Sequence, residues 1–471
     1  MTERRTLRTI LTSARVLIGA AVAVVLVAAV AVAVAAPLPT FARSAVSIVE
    51  TPTPSETVAV CAGPLLATGR TSGAASEITV AADADLRYGS AEGEPAQEGL
   101  RAASVDDSSG PSVLRMSPID REAASLAGAQ ASTATAEDLI GFAASACEAP
   151  RFESWLAAGA TSTGASDLVV LSNPGDVAAT VQIGVYGQAG LTTPPGGDDV
   201  IVPARAQIVL SLAGLALGEF TPVLRVQASG APVTAHLQAS RTVTLEPVGV
   251  DVTGATVAPA TRQVIAGIVT PSAADPAIEG SSTVRVRVLA PSAAARATVT
   301  VTAQGSSSPA VAPAELDLAE GVPLDIDLAG LPAGSYTVDV ETEGVPVIAS
   351  AWTSSALGGE RDFAWIAAAP MLEQPALLAV AEAPAGAATA VHVVAGSEAA
   401  EVVLTPVNGG EARTLSLTAD EAGAVAVPAG SWRIEATAPV HAAVSYASPT
   451  AVAGYPVQPG QGAAAAVRVV P

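Results

Sequence analysis

The order of hydrophobic and polar residues separates one long apolar run from many short ones. Residues 16–36 carry no charge and consist almost entirely of Ala, Val, Leu and Ile. A helix needs a run of this length to cross a hydrocarbon core about 30 Å thick. Beyond residue 56 the apolar runs are short, rich in Val and Thr, and separated by Gly and Pro, which is typical of strands joined by turns. The pattern predicts one N-terminal transmembrane helix followed by an all-β region.

A weak repeat occurs three times in the all-β region. Each copy begins with an apolar patch at Trp155, Val264 or Trp365, continues into two strand-like segments, and ends in a hairpin before an alternating strand. The copies are about 100 residues apart, the size of one immunoglobulin-like or fibronectin-like sandwich. We therefore predict tandem β-sandwiches of this type.

Period-two alternation predicts which side chains of these strands face a core. After the hairpin of the second copy, Tyr336, Val338 and Val340 alternate with polar residues, so they are expected to be buried and the polar residues to be solvated. An earlier strand alternates Val with Arg285 and Arg287 in the same way.

Each late hairpin ends at one large aromatic residue, Phe220, Tyr336 or Trp432. Pro and Gly precede Tyr336 and Trp432 where a tight turn needs them. The favoured interpretation of the three aromatics is a core anchor, and the alternative is a platform on which sugars stack.

These features divide the chain into six segments. The region between residue 57 and residue 150 is less regular than the repeats, and either completes the first sandwich or stands apart from it. We predict a cytoplasmic N-terminus (1–15), a transmembrane helix (16–36), a Pro-rich stalk (37–56), an N-terminal β region with the first sandwich (57–245), a second sandwich (246–360) and a third sandwich (361–471).

The charges before the apolar run predict its orientation. Arg4, Arg5, Arg8 and Arg15 precede it, so the positive-inside rule keeps the N-terminus in the cytoplasm and places the remainder outside. A cleaved signal peptide is the alternative, because residues 33–35 have a small-x-small form. The run exceeds the usual h-region of about 7–15 residues, which favours an uncleaved single-pass anchor over a secreted protein. Both interpretations export the remainder.

The net charge and the two cysteines add to this picture. The chain carries a formal charge of −22, and so acidic a surface repels phosphate backbones, which argues against nucleic-acid binding. Cys61 and Cys147 are the only cysteines. In an exported protein an even count predicts one disulfide, and two buried free thiols are the alternative.

The sequence offers few residues for catalysis. His236, His392 and His441 lie among strand-like residues, with no Cys or carboxylate at metal-ligand spacing, so structural or surface roles are favoured. Neither a Gly-x-Ser-x-Gly elbow nor a Gly-Lys-Thr phosphate loop occurs. We predict no catalytic, cofactor-binding or metal site and no enzyme activity.

Pairs of acids at alternate positions are the remaining candidates for chemistry. Asp325 with Asp327, and Asp83 with Asp85, project from one face of a strand, as a glycosidase pair or a weak Ca²⁺ site would require. A solvated strand face is the favoured interpretation of both pairs. The stretch that begins at Asp106 is likewise interpreted as a loop rather than a Ca²⁺ cradle.

Several motifs occur in a distinctive order along nearly the whole chain. An Ala/Val-rich anchor precedes Cys-Ala-Gly-Pro at Cys61, Cys147 comes shortly before Trp155, one strand ends in Leu171-Ser-Asn-Pro, and Pro-Ala-Gly-Ser-Trp432 follows late. This order resembles a family of actinobacterial envelope proteins, the domain of unknown function 5719. The resemblance implies no catalytic residues, since that family has no assigned activity. It implies a high-GC Gram-positive cell surface near glycan-assembly machinery.

Two functions follow as expectations. The first is a non-enzymatic, membrane-anchored extracytoplasmic scaffold or binding protein of the bacterial cell envelope, whose partner is cell-wall glycan or another envelope protein. The second is an accessory subunit of a membrane glycosyltransferase or other glycan-assembly enzyme, which would act through the anchor helix.

Overall fold

The computed structural model describes residues 3–35, 48–50, 53–70, 77–105, 110–120, 122–271, 284–328, 330–355, 362–461 and 467–469. The chain forms two compact units, one of residues 1–52 with 464–471 and one of residues 53–463. The first unit contains the apolar run, and the second contains the all-β repeats. Most of the predicted stalk lies outside the described residues.

The first unit is dominated by helix α1, Glu3–Ala35. Residues 14–34 of this helix are long and apolar enough to cross a membrane, and none of this stretch is buried against protein. A helix that is apolar on every side and unpacked by protein is stable only in an apolar surrounding. The helix therefore supports a membrane anchor or a signal sequence. The unit also contains strand β1, Ile48–Glu50, which pairs antiparallel with Val467–Val469.

In the described part of the second unit nine strands precede the first sandwich, and most belong to three small antiparallel sheets, β2-β8-β6, β10-β9-β5 and β3-β4. Residues 137–138 form the turn that joins β9 to β10. The bounds are β2 Thr57–Val60, β3 Leu65–Thr68, β4 Ile78–Ala82, β5 Asp85–Gly89, β6 Ala96–Gly99, β7 Arg101–Ala102, β8 Ser112–Met116, β9 Ala127–Ala136 and β10 Leu139–Ala146.

Three sandwiches follow in tandem. The first contains β11 Glu153–Leu156, β12 Leu168–Asn173, β13 Ala179–Gly187, β14 Gly190–Thr192, β15 Val200–Val202, β16 Ala206–Ser211, helix α2 Leu212–Leu215, β17 Val223–Ser229, β18 Thr234–Val243 and β19 Glu246–Thr253. The second contains β20 Arg262–Thr270, β21 Val284–Leu289, β22 Ala295–Ala303, β23 Ala314–Leu318, β24 Leu324–Asp327, β25 Gly334–Thr342, β26 Ile348–Ser354 and β27 Phe363–Ala367. The third contains β28 Met371–Leu372, β29 Ala376–Val380, β30 Ala388–Ala395, β31 Ala400–Pro406, β32 Arg413–Leu417, β33 Ala422–Ala426, β34 Gly430–Ala436, β35 Val440–Ser448 and β36 Ala451–Pro456. The final strand, β37 Val467–Val469, is the partner of β1.

All three sandwiches share one strand order. In the second sandwich the sheets run β20-β25-β22-β23 and β24-β21-β26-β27. The third repeats this order as β29-β34-β31-β32 and β33-β30-β35-β36. The first repeats it as β11-β17-β13-β15 and β16-β12-β18-β19, and β7 adds a parallel strand beside β16. The predicted all-β architecture after an N-terminal apolar helix is confirmed.

The start of the third copy differs from the prediction. Trp365 lies in β27, the last strand of the second sandwich, where it is paired with Trp352 of β26. In the third sandwich the strand equivalent to β11 and β20 is β29, whose five residues are all buried. Both strands are continuous apolar runs, so the sequence pattern could not distinguish a closing strand from an opening one. The domain division at 245/246 and 360/361 stays a prediction, although β19 and β27 pair with strands on the other side of those positions.

Two of the three hairpin aromatics are core anchors. Tyr336 and Trp432 are each 4% exposed, and their hydroxyl and indole N–H groups donate to the carbonyl oxygens of Pro332 and Pro428 at 2.8 and 3.2 Å. Phe220 is 59% exposed, so the core-anchor prediction is wrong there. Phenylalanine has no donor for the carbonyl four residues earlier, and the strand that follows it, β17, begins only at Val223.

The segment that follows Cys61 is held to its neighbours by side-chain amides as well as by strand pairing. Gln130 donates to the carbonyl oxygen of Gly63 and accepts from its N–H, at 2.6 and 3.0 Å. Gln238 of the first sandwich binds both backbone groups of Leu66 in the same way, at 2.7 and 2.8 Å. Buried backbone groups must be paired, and a primary amide supplies the same donor and acceptor as a strand. These amides tie the N-terminal region to the first sandwich.

Candidate functional site

The three histidines lie buried in the sheets. His236 is completely buried, His392 lies 2.7 Å (Nε2) from the Ser445 hydroxyl, and His441 lies 2.8 Å (Nδ1) from the carbonyl oxygen of Ala369. Burial lowers the pKa of His236 and His392 to about 4, so both are neutral near pH 7. No carboxylate is among the described residues that line the small pocket around the His392–Ser445 pair. Nor do the described residues contain a group of three Cys, His, Asp or Glu side chains placed to hold a metal ion.

The alternate acids of β24 are paired with the alternate arginines of β21. Asp325 lies opposite Arg287 and Asp327 opposite Arg285, with N···O distances of 2.8 Å in both pairs. Arg287 is only 2% exposed, so the expectation that the alternating arginines are solvated is wrong for it. Asp325 is also predicted to lie on a solvated face, and this is wrong because its side chain is only 17% exposed. Both carboxylates are engaged by guanidinium groups, which is a structural use of the pair.

The other acidic candidates stay apart from any assembled site. Asp83 and Asp85 are exposed as predicted, but Asp83 lies between β4 and β5, so the prediction that both project from one face of a strand is wrong. The stretch that begins at Asp106 lies outside the described residues.

Two buried carboxylates that the pattern did not single out join different parts of the fold. Asp251 of β19 accepts the backbone N–H of Trp365 at 2.7 Å. Asp362, immediately before β27, accepts the N–H groups of Phe142 and Val452 at 3.3 and 3.1 Å. These contacts connect the β9–β10 hairpin with all three sandwiches. Burial raises the pKa of Asp251 to about 7 and the pKa of Asp362 well above its usual range.

The raised pKa of Asp251 predicts a pH-dependent contribution to stability. The unfolded carboxyl releases its proton near pH 4, whereas the folded one keeps it until about pH 7. The free energy of unfolding that Asp251 contributes therefore falls as pH rises between these values, by up to about 1.4 kcal/mol per pH unit. We expect Asp251→Asn to be more stable than the wild type at pH 8 and to lose this advantage towards pH 4, measured by urea unfolding across that range.

The difference in unfolding free energy between Asp251→Asn and the wild type excludes the contribution of the buried histidines, because both proteins contain them. Their lowered pKa acts in the opposite sense, because stability is lost as pH falls from about 6.5 to about 4. Replacing the exposed Glu401 by Gln is the matched control, and its difference from the wild type should not vary comparably with pH. A constant difference for Asp251→Asn between pH 4 and pH 8 would contradict the prediction.

The two cysteines form the predicted disulfide, and Cys147 lies on the wall of a cleft. The cleft has a volume of about 370 Å³, within the range of small-ligand sites. One wall comes from the N-terminal region, around Ala91, Glu92 and residues 125–128. The other comes from the third sandwich, through residues 375–379 and the segment 455–461 after β36. We call this feature the β29 cleft.

The charged side chains that line the β29 cleft are one glutamate and two arginines. Hydrogen bonds from Ser125 and Ser90 outweigh partial burial and lower the pKa of Glu92, whose charge is thereby satisfied within the fold. Arg151 uses one nitrogen on Gln458 at 2.8 Å, and Arg433, about half exposed, forms an ion pair with Glu435 at 2.8 Å. Two guanidinium groups therefore face the cleft of a protein whose net charge is −22.

One protein-family model matches most of the chain, including part of the β29 cleft. The model of a family of unknown function, DUF5719, matches residues 102–430, more than two thirds of the chain. The chain belongs to DUF5719. The DUF5719 match contains the first two sandwiches, most of the third and the cleft wall at residues 125–128. It leaves out α1, Cys61, Arg433 and the segment 455–461. A search of the curated proteins found no match.

Sequence reasoning found Cys147, which lines the β29 cleft, and its partner Cys61. It missed the other residues of the cleft. Its residues come from positions 59–461 and share no motif. One signal of the cleft was present in the sequence. The Pro- and Gly-rich stretch after β36, which forms part of the cleft wall, does not continue the repeat pattern.

Proposed function

We propose that this protein is a non-enzymatic, membrane-anchored scaffold or binding protein of the bacterial cell envelope, with residues 53–463 outside the cytoplasm. The β29 cleft carries the proposal, because it is a preformed concave surface that presents two guanidinium groups in a protein of net charge −22. Its charged groups sit among Ala, Gly, Pro and Leu side chains, an arrangement suited to holding a partner.

The extracytoplasmic placement is supported by three features together. Helix α1 contains an unpacked apolar stretch, four arginines precede residue 16, and the second unit contains a disulfide. Disulfides persist in oxidising compartments, and the positive-inside rule retains arginines in the cytoplasm. We infer a single-pass anchor with the N-terminus inside.

The cleft favours another protein over glycan as the partner. Sugar sites commonly use an aromatic face, whereas the aromatic residue that lines this cleft, Tyr455, is 5% exposed. Its hydroxyl is already bonded to the carbonyl oxygen of Ala379 at 2.9 Å and lies 3.0 Å from the Tyr446 hydroxyl. Backbone and small apolar side chains make up most of the remaining wall, which suits a polypeptide.

Photocrosslinking on intact cells tests the proposal. Ala91, exposed on the cleft rim, is replaced by p-benzoylphenylalanine, and the exposed Ala312 of the second sandwich is replaced in the same way as the matched control. We expect an envelope-protein adduct, identified by mass spectrometry, from position 91 only. Equal adducts from both positions, or none from position 91, would count against binding in the cleft. In a separate sample, Cys introduced at Glu401 should react with a membrane-impermeant maleimide on intact cells, and protection until lysis would refute the orientation.

The accessory-subunit function has one observation in its favour. Gly19 and Ala23 place two small residues four apart on α1, and the structure leaves the space around Gly19 open. Small residues at this spacing let helices approach closely in membranes. Replacing residues 16–36 with an unrelated membrane span should abolish co-purification of a polytopic glycosyltransferase under this function. It should leave crosslinking from position 91 unchanged.

A further inference from the structure

The edge of the third sandwich beside the β29 cleft has a backbone position without a paired strand. Among the described residues, β29 is the outer strand of its sheet and pairs only with β34. The carbonyl oxygens of Ala379 and Ala381 accept the hydroxyl groups of Tyr455 and Tyr446, at 2.9 and 3.2 Å, so both point away from β34. Alternate residues of a strand turn their backbone groups to opposite sides. Leu377 therefore turns its N–H and C=O groups to the same open side as Ala379.

The remaining edge positions are already protected. Tyr455 and Tyr446 occupy the carbonyl groups towards one end of β29. Pro375, at the other end, has no N–H to leave unpaired, which is how proline is used on edge strands. Leu377 lies between Pro375 and the carbonyl groups bound by the two tyrosines. Its open side faces the cleft that residues 375–379 line. Leu377 thus presents both its N–H and its C=O group where a cavity adjoins them.

A guanidinium group lies next to that position. Arg433 is paired in register with Leu377 across β34, and its side chain is 49% exposed, with one nitrogen in an ion pair with Glu435 at 2.8 Å. Arg151 supplies the second guanidinium group. A carboxylate on a ligand seated at Leu377 would lie within the reach of charge-assisted hydrogen bonds from Arg433.

We propose that the β29 cleft binds an extended peptide segment that ends in a carboxylate, by exchanging backbone hydrogen bonds with Leu377 and pairing the carboxylate with Arg433. This is strand addition to a sheet edge, limited to a few residues by the two tyrosine hydroxyls and Pro375. The inference rests on the proposed binding function and names its ligand class. The backbone bonds hold any sequence, and the arginine selects a free C-terminus.

Fluorescence anisotropy with the full chain in detergent tests this inference. The probe is a fluorescein-labelled hexapeptide of alternating Val and Ala with a free C-terminal carboxylate, and its C-terminal amide is the comparison. We expect the carboxylate probe to bind about ten-fold more tightly than the amide. Arg433→Gln should remove that difference. Arg413→Gln, an exposed arginine of β32 outside the cleft, should preserve it.

The strand-addition step is tested on the peptide, so that the fold is left intact. Methylating single backbone nitrogens of the probe should weaken binding by about ten-fold at alternate positions only. Equal binding of carboxylate and amide, an N-methyl scan without alternation, or no binding of any probe at millimolar concentration would each overturn the inference. If crosslinking from position 91 still captured an envelope protein, the proposed function would stand and only its ligand class would fall.

Discussion

Replacing Arg287 by Met should lower the free energy of unfolding by about 3–5 kcal/mol, because it leaves the carboxylate of a buried ion pair without its partner. Arg287 is 2% exposed and pairs with Asp325, which is itself only 17% exposed. It also donates to the carbonyl oxygens of Gly159 and Pro222 in the first sandwich, at 2.8 and 2.9 Å, and lies 4.5 Å from the ring centre of Trp365. One side chain thus joins two sandwiches. Urea unfolding followed by tryptophan fluorescence measures the change.

Arg285→Met is the matched control, because the same strand presents the same kind of pair in an exposed setting. Arg285 is 32% exposed, pairs with Asp327 at 2.8 Å and lies 4.8 Å from the ring centre of Trp352. Exposed pairs contribute about 0–1 kcal/mol, so this variant should change stability by no more than that. Similar losses in the two variants would show that burial at Arg287 is not the cause. Adding Asp325→Leu to Arg287→Met should recover part of the loss, since the unpaired charge is then removed.

Removing the disulfide should lower the free energy of unfolding by about 4–5 kcal/mol in the chain-entropy model. Cys61 and Cys147 are 86 positions apart, so the bond closes a loop that contains β3 to β10. The variant in which both cysteines are replaced by Ala loses that restraint on the unfolded chain and leaves no free thiol. Urea unfolding of the variant and the wild type without reductant measures the difference.

Reductant supplies the control for the disulfide prediction. Dithiothreitol present during unfolding should lower the stability of the wild type towards that of the double variant and leave the double variant unchanged. A loss below about 1 kcal/mol in the variant would mean that contacts such as those of Gln130 and Gln238, rather than the bond, restrain this segment.

The sequence predicted the features that depend on local order along the chain. The apolar run at residues 16–36 indicated a helix long enough for a membrane, and the structure places it in α1. Alternation around Val338 and Val340 identified side chains that are completely buried in β25, but Thr337, which the same alternation predicted to be solvated, is only 6% exposed. The even cysteine count predicted the bond that the structure contains. These signals are readable because periodicity and pairing depend on residues close in sequence, or on a count.

The tertiary structure decided what lies against each strand. Arg287 and Arg285 occupy equivalent positions in the alternation, yet only Arg287 is covered by loops of the first sandwich. Phe220 matches the spacing of Tyr336 but lacks the donor that would bind the turn, and it lies on the surface. Period two reports which face a side chain is on, but it does not report whether another sandwich covers that face.

The β29 cleft shows most clearly what the tertiary structure decides and the sequence pattern does not. The walls of the β29 cleft come from the N-terminal region and from the third sandwich, which are separated by more than two hundred residues of chain. Within each stretch, Leu377, Arg433 and Glu92 look like ordinary strand or loop residues. The sequence by itself determined the membrane helix, the all-β class, the repeat and the disulfide, because each is encoded locally or by a count. Only the packing of these parts in three dimensions decided where a cavity, an open strand edge and two guanidinium groups coincide, because that depends on contacts between distant segments.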